Sequence, residues 1–337
     1  MHVIATAGHV DHGKSTLIRG LTGMDPDRWA EERRRGLTID LGYAWTTLPD
    51  GMQVAFVDVP GHHRFVTNML AGVGPVPAVL FVIAADQRWS AQSTEHLDAL
   101  RALDVRHGVL AISRCDLGDA ELAESEARDY LAGSPLADLE AVLVSPVAGV
   151  GMDALRSALV RMTRHIPAPL PRPTRLWIDR VFTIRGAGTV VTGTLSSGTV
   201  RVGDEMEIRP SGALVRIRAL ESLHRPVDEA SAVSRVAVNL RGVRPTQLRR
   251  GDALTAPGGW RDVSMLDVRL SVAAEQLPSE LVLHVGSAAV HARVRPLAGD
   301  LGRRTRNSMV QRALTGSHRR RANSACCGRD RNARSVR

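Results

Sequence analysis

Nine residues near the start of the chain, Gly8-His9-Val10-Asp11-His12-Gly13-Lys14-Ser15-Thr16, constrain it more than any other stretch. The pattern is glycine, four intervening residues, then Gly-Lys-Ser, and it has physical meaning only between a strand and a helix. Val3 to Ala7 is apolar and suits a buried strand, while Lys14 to Leu21 can open a helix. Glycines let such a loop wrap its N–H groups around a phosphate, and the helix N-terminus adds its positive end. In that geometry Lys14 reaches the β- and γ-phosphates, and the Ser15 hydroxyl holds Mg²⁺. Lys14 is also the only lysine among 44 basic residues. An otherwise all-arginine chain keeps its one compact ammonium where a point charge suits the task.

At 337 residues the chain has room for two or three domains, and 44% hydrophobic content is ordinary for a globular protein. Val76 to Ala85 is the longest near-apolar run and is too short to span a bilayer, so no membrane partner is expected. No signal peptide is visible, and three cysteines make no disulfide framework. Both features fit a reducing cytoplasm. The formal net charge of +9 suggests nucleic acid until it is located. Residues 303–337 hold eleven arginines and one acid, Asp330, so the remainder of the chain is close to neutral.

Along the chain, a charged segment from Asp25 to Arg35 leads into Gly36-Leu37-Thr38-Ile39-Asp40. It reads either as a solvated helix ending at Gly36 or as a mobile loop bringing Thr38 to Mg²⁺ and a γ-phosphate. Leu41 to Leu48 and Met52 to Asp58 alternate around Pro49-Asp50-Gly51, a hairpin signal. Asp58 at a strand end can hold Mg²⁺ through water, the Gly61 N–H can meet the γ-phosphate, and His62 lies where an attacking water must be oriented. A helix follows from Arg64 to Ala71. Ala78 to Ala85 has no polar face, as expected of a central parallel strand.

Gln92 to Leu103 predicts a helix, and Gly108 to Ser113 a strand leading into Ser113-Arg114-Cys115-Asp116. An Asp116 carboxylate could accept N1–H and N2–H of guanine, with the Arg114 stem packed over the base. It could equally be the N-cap of a Gly118 to Ala132 helix. Ala141 to Val144 is a last apolar strand, followed by Ser145, a loop, and a helix from Met152 to Arg164. The alternation over residues 1–165 predicts an α/β domain with a mostly parallel sheet and its ligand at the carboxyl ends of the strands.

Composition then changes. Residues 166–174 form a proline-rich spacer. Short strands and glycine turns over 175–258 predict an all-β barrel, and 259–302 an incomplete second barrel. Residues 303–337 show no strand alternation, and carry Cys326 and Cys327 with His318 as the sole further candidate ligand. They read as an aberrant, truncated or frame-shifted end, or as a disordered basic RNA-binding tail.

Together these motifs resemble the GTPase domain of translation factors. The segments carrying the likeness are Gly8 to Thr16, Arg35 to Asp40, Asp58-Val59-Pro60-Gly61-His62 and Gln92-Ser93-Thr94-Glu95-His96-Leu97. Within that family the chain looks most similar to the selenocysteine-specific elongation factors, through Arg64 to Gly72, Ile178 to Thr194 and Ser234 to Leu240. The resemblance implies a factor that carries selenocysteyl-tRNA to the ribosome and hydrolyses GTP on codon recognition. It assigns catalysis to Lys14 and His62, and GTP contacts to Gly8 through Thr16, Thr38, Asp58, Gly61, Ser113, Arg114, Asp116 and Ser145. It further assigns Mg²⁺ to Ser15, Thr38 and Asp58, and the aminoacyl pocket to Asp179, Arg180 and Arg235. Val10 and Leu37 match an apolar pair that screens the histidine in relatives. Two guanidinium groups near one pocket would favour an ionised selenol over a neutral hydroxyl.

Two departures stand out. Ser113 and Arg114 replace the usual Asn or Thr and Lys, which predicts weaker guanine affinity with Asp116 keeping selectivity. The family also continues into a complete third barrel and winged-helix modules that bind a selenocysteine-insertion messenger hairpin, and no such modules are visible here. Another tRNA-delivering GTPase of initiation-factor type, and a GTP-binding remnant unable to complete delivery, remain open alternatives at this point.

Overall fold

The structure, a computed structural model, describes residues 1–26, 38, 40–60, 66–74, 76–269, 278–296, 307–312 and 325–328. The chain divides into two compact units, residues 1–169 with 233–235, and 170–232 with 236–337.

The first unit is built on six strands: β1 (His2–Ala7), β2 (Gly42–Thr47), β3 (Gln53–Asp58), β4 (Ala78–Ala84), β5 (His107–Ser113) and β6 (Glu140–Leu143). Their order is β2-β3-β1-β4-β5-β6, parallel except for the β2–β3 hairpin. All seven residues of β4 are buried, because both faces of the sheet are covered. The described helices are α1 (Lys14–Thr22), α2 (Val66–Val73), α3 (Ala91–Ala102), α4 (Ala120–Leu131) and α5 (Met152–His165). In α5 the buried residues Leu155, Ala158, Leu159 and Met162 fall at helical spacing and join Leu17, Ile18 and Leu21 of α1 in one core with Ile4, Phe56, Leu80 and Val109. The expected α/β domain is present. The Asp116 N-cap alternative is corrected: Asp119 caps α4, its side chain accepting from the Leu122 N–H at 3.0 Å. Asp119 wins because α4 starts at Ala120, two residues later than the Gly118 start expected from the sequence.

In the second unit the strands β7 (Arg175–Ile184), β8 (Gly188–Ser197), β10 (Glu205–Arg209), β11 (Ala213–Ser222), β14 (Ser234–Arg241) and β15 (Ala253–Thr255) run in the order β10-β15-β7-β8-β14-β11. A β10–β11 pairing closes the ring into a six-stranded barrel. Alternate residues of β14 point inward, Val236, Val238 and Leu240 being buried, so period-2 patterning fills the interior with Leu176, Ile178, Val191, Leu195, Ile208 and Ile217. Short strands β9 (Thr199–Arg201) and β13 (Glu229–Ser231) pair beside it, and β12 (Arg225–Val227) extends β11.

Beyond the barrel, β17 (Met265–Arg269), β18 (Glu280–Val285), β19 (Ala288–Pro296) and β20 (Asn307–Arg312) form an antiparallel sheet ordered β17-β20-β19-β18, and β16 (Trp260–Val263) pairs β21 (Ala325–Gly328). The sequence predicts no strand in 303–337, yet β20 and β21 lie there. Backbone groups along the edges of β16, β17 and β19 accept any segment in extended form, whatever its side-chain pattern.

Candidate functional site

The carboxyl ends of β1, β3 and β5 carry Gly8 to Thr16, Asp58 and Ser113 to Asp116 of the predicted residues. Gly8 leaves β1 with φ 124°, and a Cβ there would lie 2.1 Å from the Val82 carbonyl oxygen, so the loop can pass β4 only as glycine. The loop then turns through Gly13, the α1 N-cap, at φ 77°. The Lys14 ammonium, 3% exposed, donates to the carbonyls of Gly8 at 3.0 Å and His9 at 2.8 Å, folding its stem back across the loop.

Helix α3 holds the other side of the loop: the Gly8 N–H donates to His96 Nδ1 at 3.0 Å and the Val10 N–H to Gln92 Oε1 at 3.4 Å. These two residues stand one helical turn apart on one face, which is the sequence signal that could have assigned them this role. His12 is wholly buried, with Nδ1 3.1 Å from the Val82 carbonyl and its backbone oxygen accepting from Ser113 Oγ at 2.7 Å. Burial pushes its pKa down to about 4, so the ring is neutral. Its Nε2 has no hydrogen-bond partner among the described residues.

Next to the loop three oxygens converge. Ser15 Oγ donates to Asp58 Oδ2 at 2.6 Å and lies 3.0 Å from Thr38 Oγ1, and both Thr38 and Asp58 are buried. Thr6 donates to Asp58 Oδ1 at 2.7 Å and accepts from the Val59 N–H at 3.0 Å, fixing the carboxylate from behind. Sequence reading missed Thr6; a lone hydroxyl in an apolar strand two residues before Gly8 was the available sign. Two hydroxyls and a carboxylate are hard oxygen donors of the kind Mg²⁺ takes, so the set fits the ion. Gly61, His62 and Leu37 lie outside the described residues.

At the end of β5, Ser113 is buried and tied to the phosphate loop rather than turned to solvent. Arg114 follows in the left-handed region at φ 52°, its Nη1 3.1 Å from Asp86 Oδ2. Asp116 is exposed, and no hydrogen bond or ion pair joins its carboxylate to a described residue, leaving it available. Ser145 closes a turn: it exchanges backbone bonds with Val150 at 3.0 Å, and its Oγ accepts from the Ala148 N–H at 3.2 Å. In the second unit Asp179 and Arg180 sit where the β7–β8 register shifts, with Thr192 Oγ1 donating to Asp179 Oδ1 at 3.1 Å. Arg235 is on β14, the strand beyond β8.

A strand feeding a glycine-hinged loop into a helix, beside a serine, threonine and aspartate brought together from 43 residues of chain, defines the phosphate-loop nucleotide-binding class. Known proteins narrow it. Residues 1–165 match the family described as Elongation factor Tu GTP binding domain, and residues 188–255 match Elongation factor Tu domain 2. The chain is 40% identical over 303 residues to the selenocysteine-specific elongation factor of Desulfomicrobium baculatum, covering 87% of this chain and 48% of that protein. It is 34% identical over 284 residues to elongation factor Tu 2 of Streptomyces avermitilis, covering 76% of this chain and 72% of that one. The crystal structure of a bacterial selenocysteine-specific elongation factor, EF-Sec, aligns with a TM-score of 0.87 at 30% identity over 93% of this chain and 54% of its own. The chain belongs to the elongation factor Tu family of GTPases, in which the selenocysteine-specific elongation factors are among its relatives. It spans about half the length of the selenocysteine-specific relatives.

Proposed function

We propose that the chain binds GTP with Mg²⁺, hydrolyses it to GDP and phosphate on the ribosome, and in its GTP form carries selenocysteyl-tRNA. The observation that supports this most is the convergence of Ser15, Thr38 and Asp58 beside the phosphate loop. Ser15 and Thr38 would hold Mg²⁺ directly and Asp58 through water; the bound ion supplies charge neutralisation on the β- and γ-phosphates. Lys14 exchanges its two loop carbonyls for phosphate oxygens, and the loop N–H groups do the rest of the positioning. His62 orients the attacking water, and Asp116 reads guanine. No covalent step passes through the protein.

Asp179, Arg180 and Arg235 supply the preference for the aminoacyl group. Guanidinium groups near a selenol stabilise its ionised form, which a seryl hydroxyl cannot adopt at neutral pH. The likeness to selenocysteine-specific factors over most of this chain supports that assignment, and among the described residues no helix is long and apolar enough to cross a membrane. A filter-binding comparison of selenocysteyl-, seryl- and methionyl-initiator tRNA with the GTP-loaded chain tests it. Retention of selenocysteyl-tRNA well above the other two is expected, and equal retention of seryl-tRNA defeats the reading. Arg180→Ala should erase that margin while leaving GTP affinity unchanged.

A further inference from the structure

Arg114 puts a planar guanidinium, rather than the lysine that the family resemblance leads one to expect, at the turn given to the base. A lysine stem can lie over a base while its compact ammonium is held by solvent alone. A guanidinium is planar and stacks well on a ring only if something sets its plane. The geometry points to Asp86 as that element: a positioning residue for the purine ring, acting through Arg114. The inference rests on the reading that the Ser113 to Asp116 turn receives the base.

Asp86 follows the end of β4, at the ligand edge of the sheet. Its carboxylate meets Arg114 Nη1 at 3.1 Å, the two side chains being 28% and 35% exposed. An ion pair this accessible contributes little to stability by itself. What distinguishes it is how firmly both ends are held. The Ala85 N–H donates to the Ser113 carbonyl at 2.8 Å, and the N–H groups of Gln87 and Arg88 fold back to the Ala84 carbonyl at 3.3 and 2.7 Å. A Cβ on Gly118 would lie 2.6 Å from the Ala85 carbonyl and from the Asp86 nitrogen, so the turn that carries Asp116 rests directly on the backbone that carries Asp86.

Two residues beyond Asp86, Arg88 Nε donates to Glu126 Oε2 at 2.8 Å, and Trp89 is stacked between Phe81 and Tyr130 with ring centroids at 5.5 and 4.7 Å. At the other end the Arg114 backbone takes φ 52°, a left-handed conformation that is unfavourable for a non-glycine residue and persists only where its surroundings impose it. Asp86 therefore fixes the guanidinium at a set height beside the turn, two residues from the carboxylate that reads the base edge. Arg114 covers the ring face and Asp116 reads its edge, so the two contributions are separable.

Isothermal titration of the whole chain with GDP, IDP and ADP separates them, because IDP keeps the purine face but lacks the N2 amino group. Asp86→Ala and Arg114→Ala should each weaken GDP and IDP by the same factor, about tenfold, leaving the GDP-to-IDP ratio as in the wild type. The double variant should be no weaker than Arg114→Ala alone. Asp86→Asn, which keeps the volume, should behave as Asp86→Ala and serves if the alanine variant does not fold. Unchanged affinity in the Asp86 variants, or losses that add in the double variant, would overturn the inference. A collapse of the GDP-to-IDP ratio would also overturn it, since Asp86 would then merely hold the turn that carries Asp116. Wild-type chain binding ADP as tightly as GDP removes the guanine reading instead, and the Asp86–Arg114 coupling is then read on ADP.

Discussion

Gly8 and His12 show how little freedom the phosphate loop has. Replacing Gly8 by alanine drives a methyl into the Val82 carbonyl at a positive φ, which should cost about 2–4 kcal/mol in urea unfolding and abolish GDP binding. His12 ties stability to acidity. Its folded pKa is lowered from 6.5 to about 4, so the unfolded chain takes up a proton the folded chain refuses. The native state should therefore lose stability as pH falls from about 6.5 to about 4, by about 3 kcal/mol in all, and the loss should level off below that. Urea midpoints of wild type and His12→Asn measured across this range should converge at the acid end; parallel profiles would exclude His12 as the source. The base edge belongs to the same scale: Asp116→Asn should shift preference from GTP to XTP in competition binding.

Among elements, the α/β alternation was legible because each buried strand is a short apolar run and each helix repeats its apolar residues at helical spacing. Ser15 and Asp58 stand out in the sequence through phosphate and Mg²⁺ chemistry, and the fold brings them together; Asp116 stands out through base chemistry instead, and the fold leaves it exposed after β5. Thr6, Gln92, His96 and Asp86 each meet a partner 28 to 88 residues away; the lone hydroxyl of Thr6 in an apolar strand and the one-turn spacing of Gln92 and His96 were faint local signs, and Asp86 carried none. The helix start at Asp119 was misread because several acids crowd that turn and only the backbone decides which one caps. Strands β20 and β21 escaped for the opposite reason, since their pairing is written in the edges they join. Trp89 illustrates tertiary packing hidden in a loop. Its removal in Trp89→Ala breaks a three-ring stack and should lower stability by about 2 kcal/mol, with the GDP off-rate rising in stopped-flow displacement.

At the scale of the molecule, residues 1–169 contain a complete sheet with its core, and the exposed proline-rich spacer after α5 ends that fold. Expressed alone, this segment should bind GDP within about threefold of the whole chain, since the phosphate loop, Thr38, Asp58 and Asp116 all lie within it; loss of binding would show that the barrel contributes to the nucleotide site. The sole lysine has a consequence for the chemist. With Lys14 Nζ turned into the carbonyls of Gly8 and His9, these 337 residues offer an amine-directed reagent a single lysine, at the floor of the phosphate loop. Acylation of Lys14 read by mass spectrometry therefore becomes an occupancy gauge: it reports how often that loop opens, with no other lysine among these residues to share the signal.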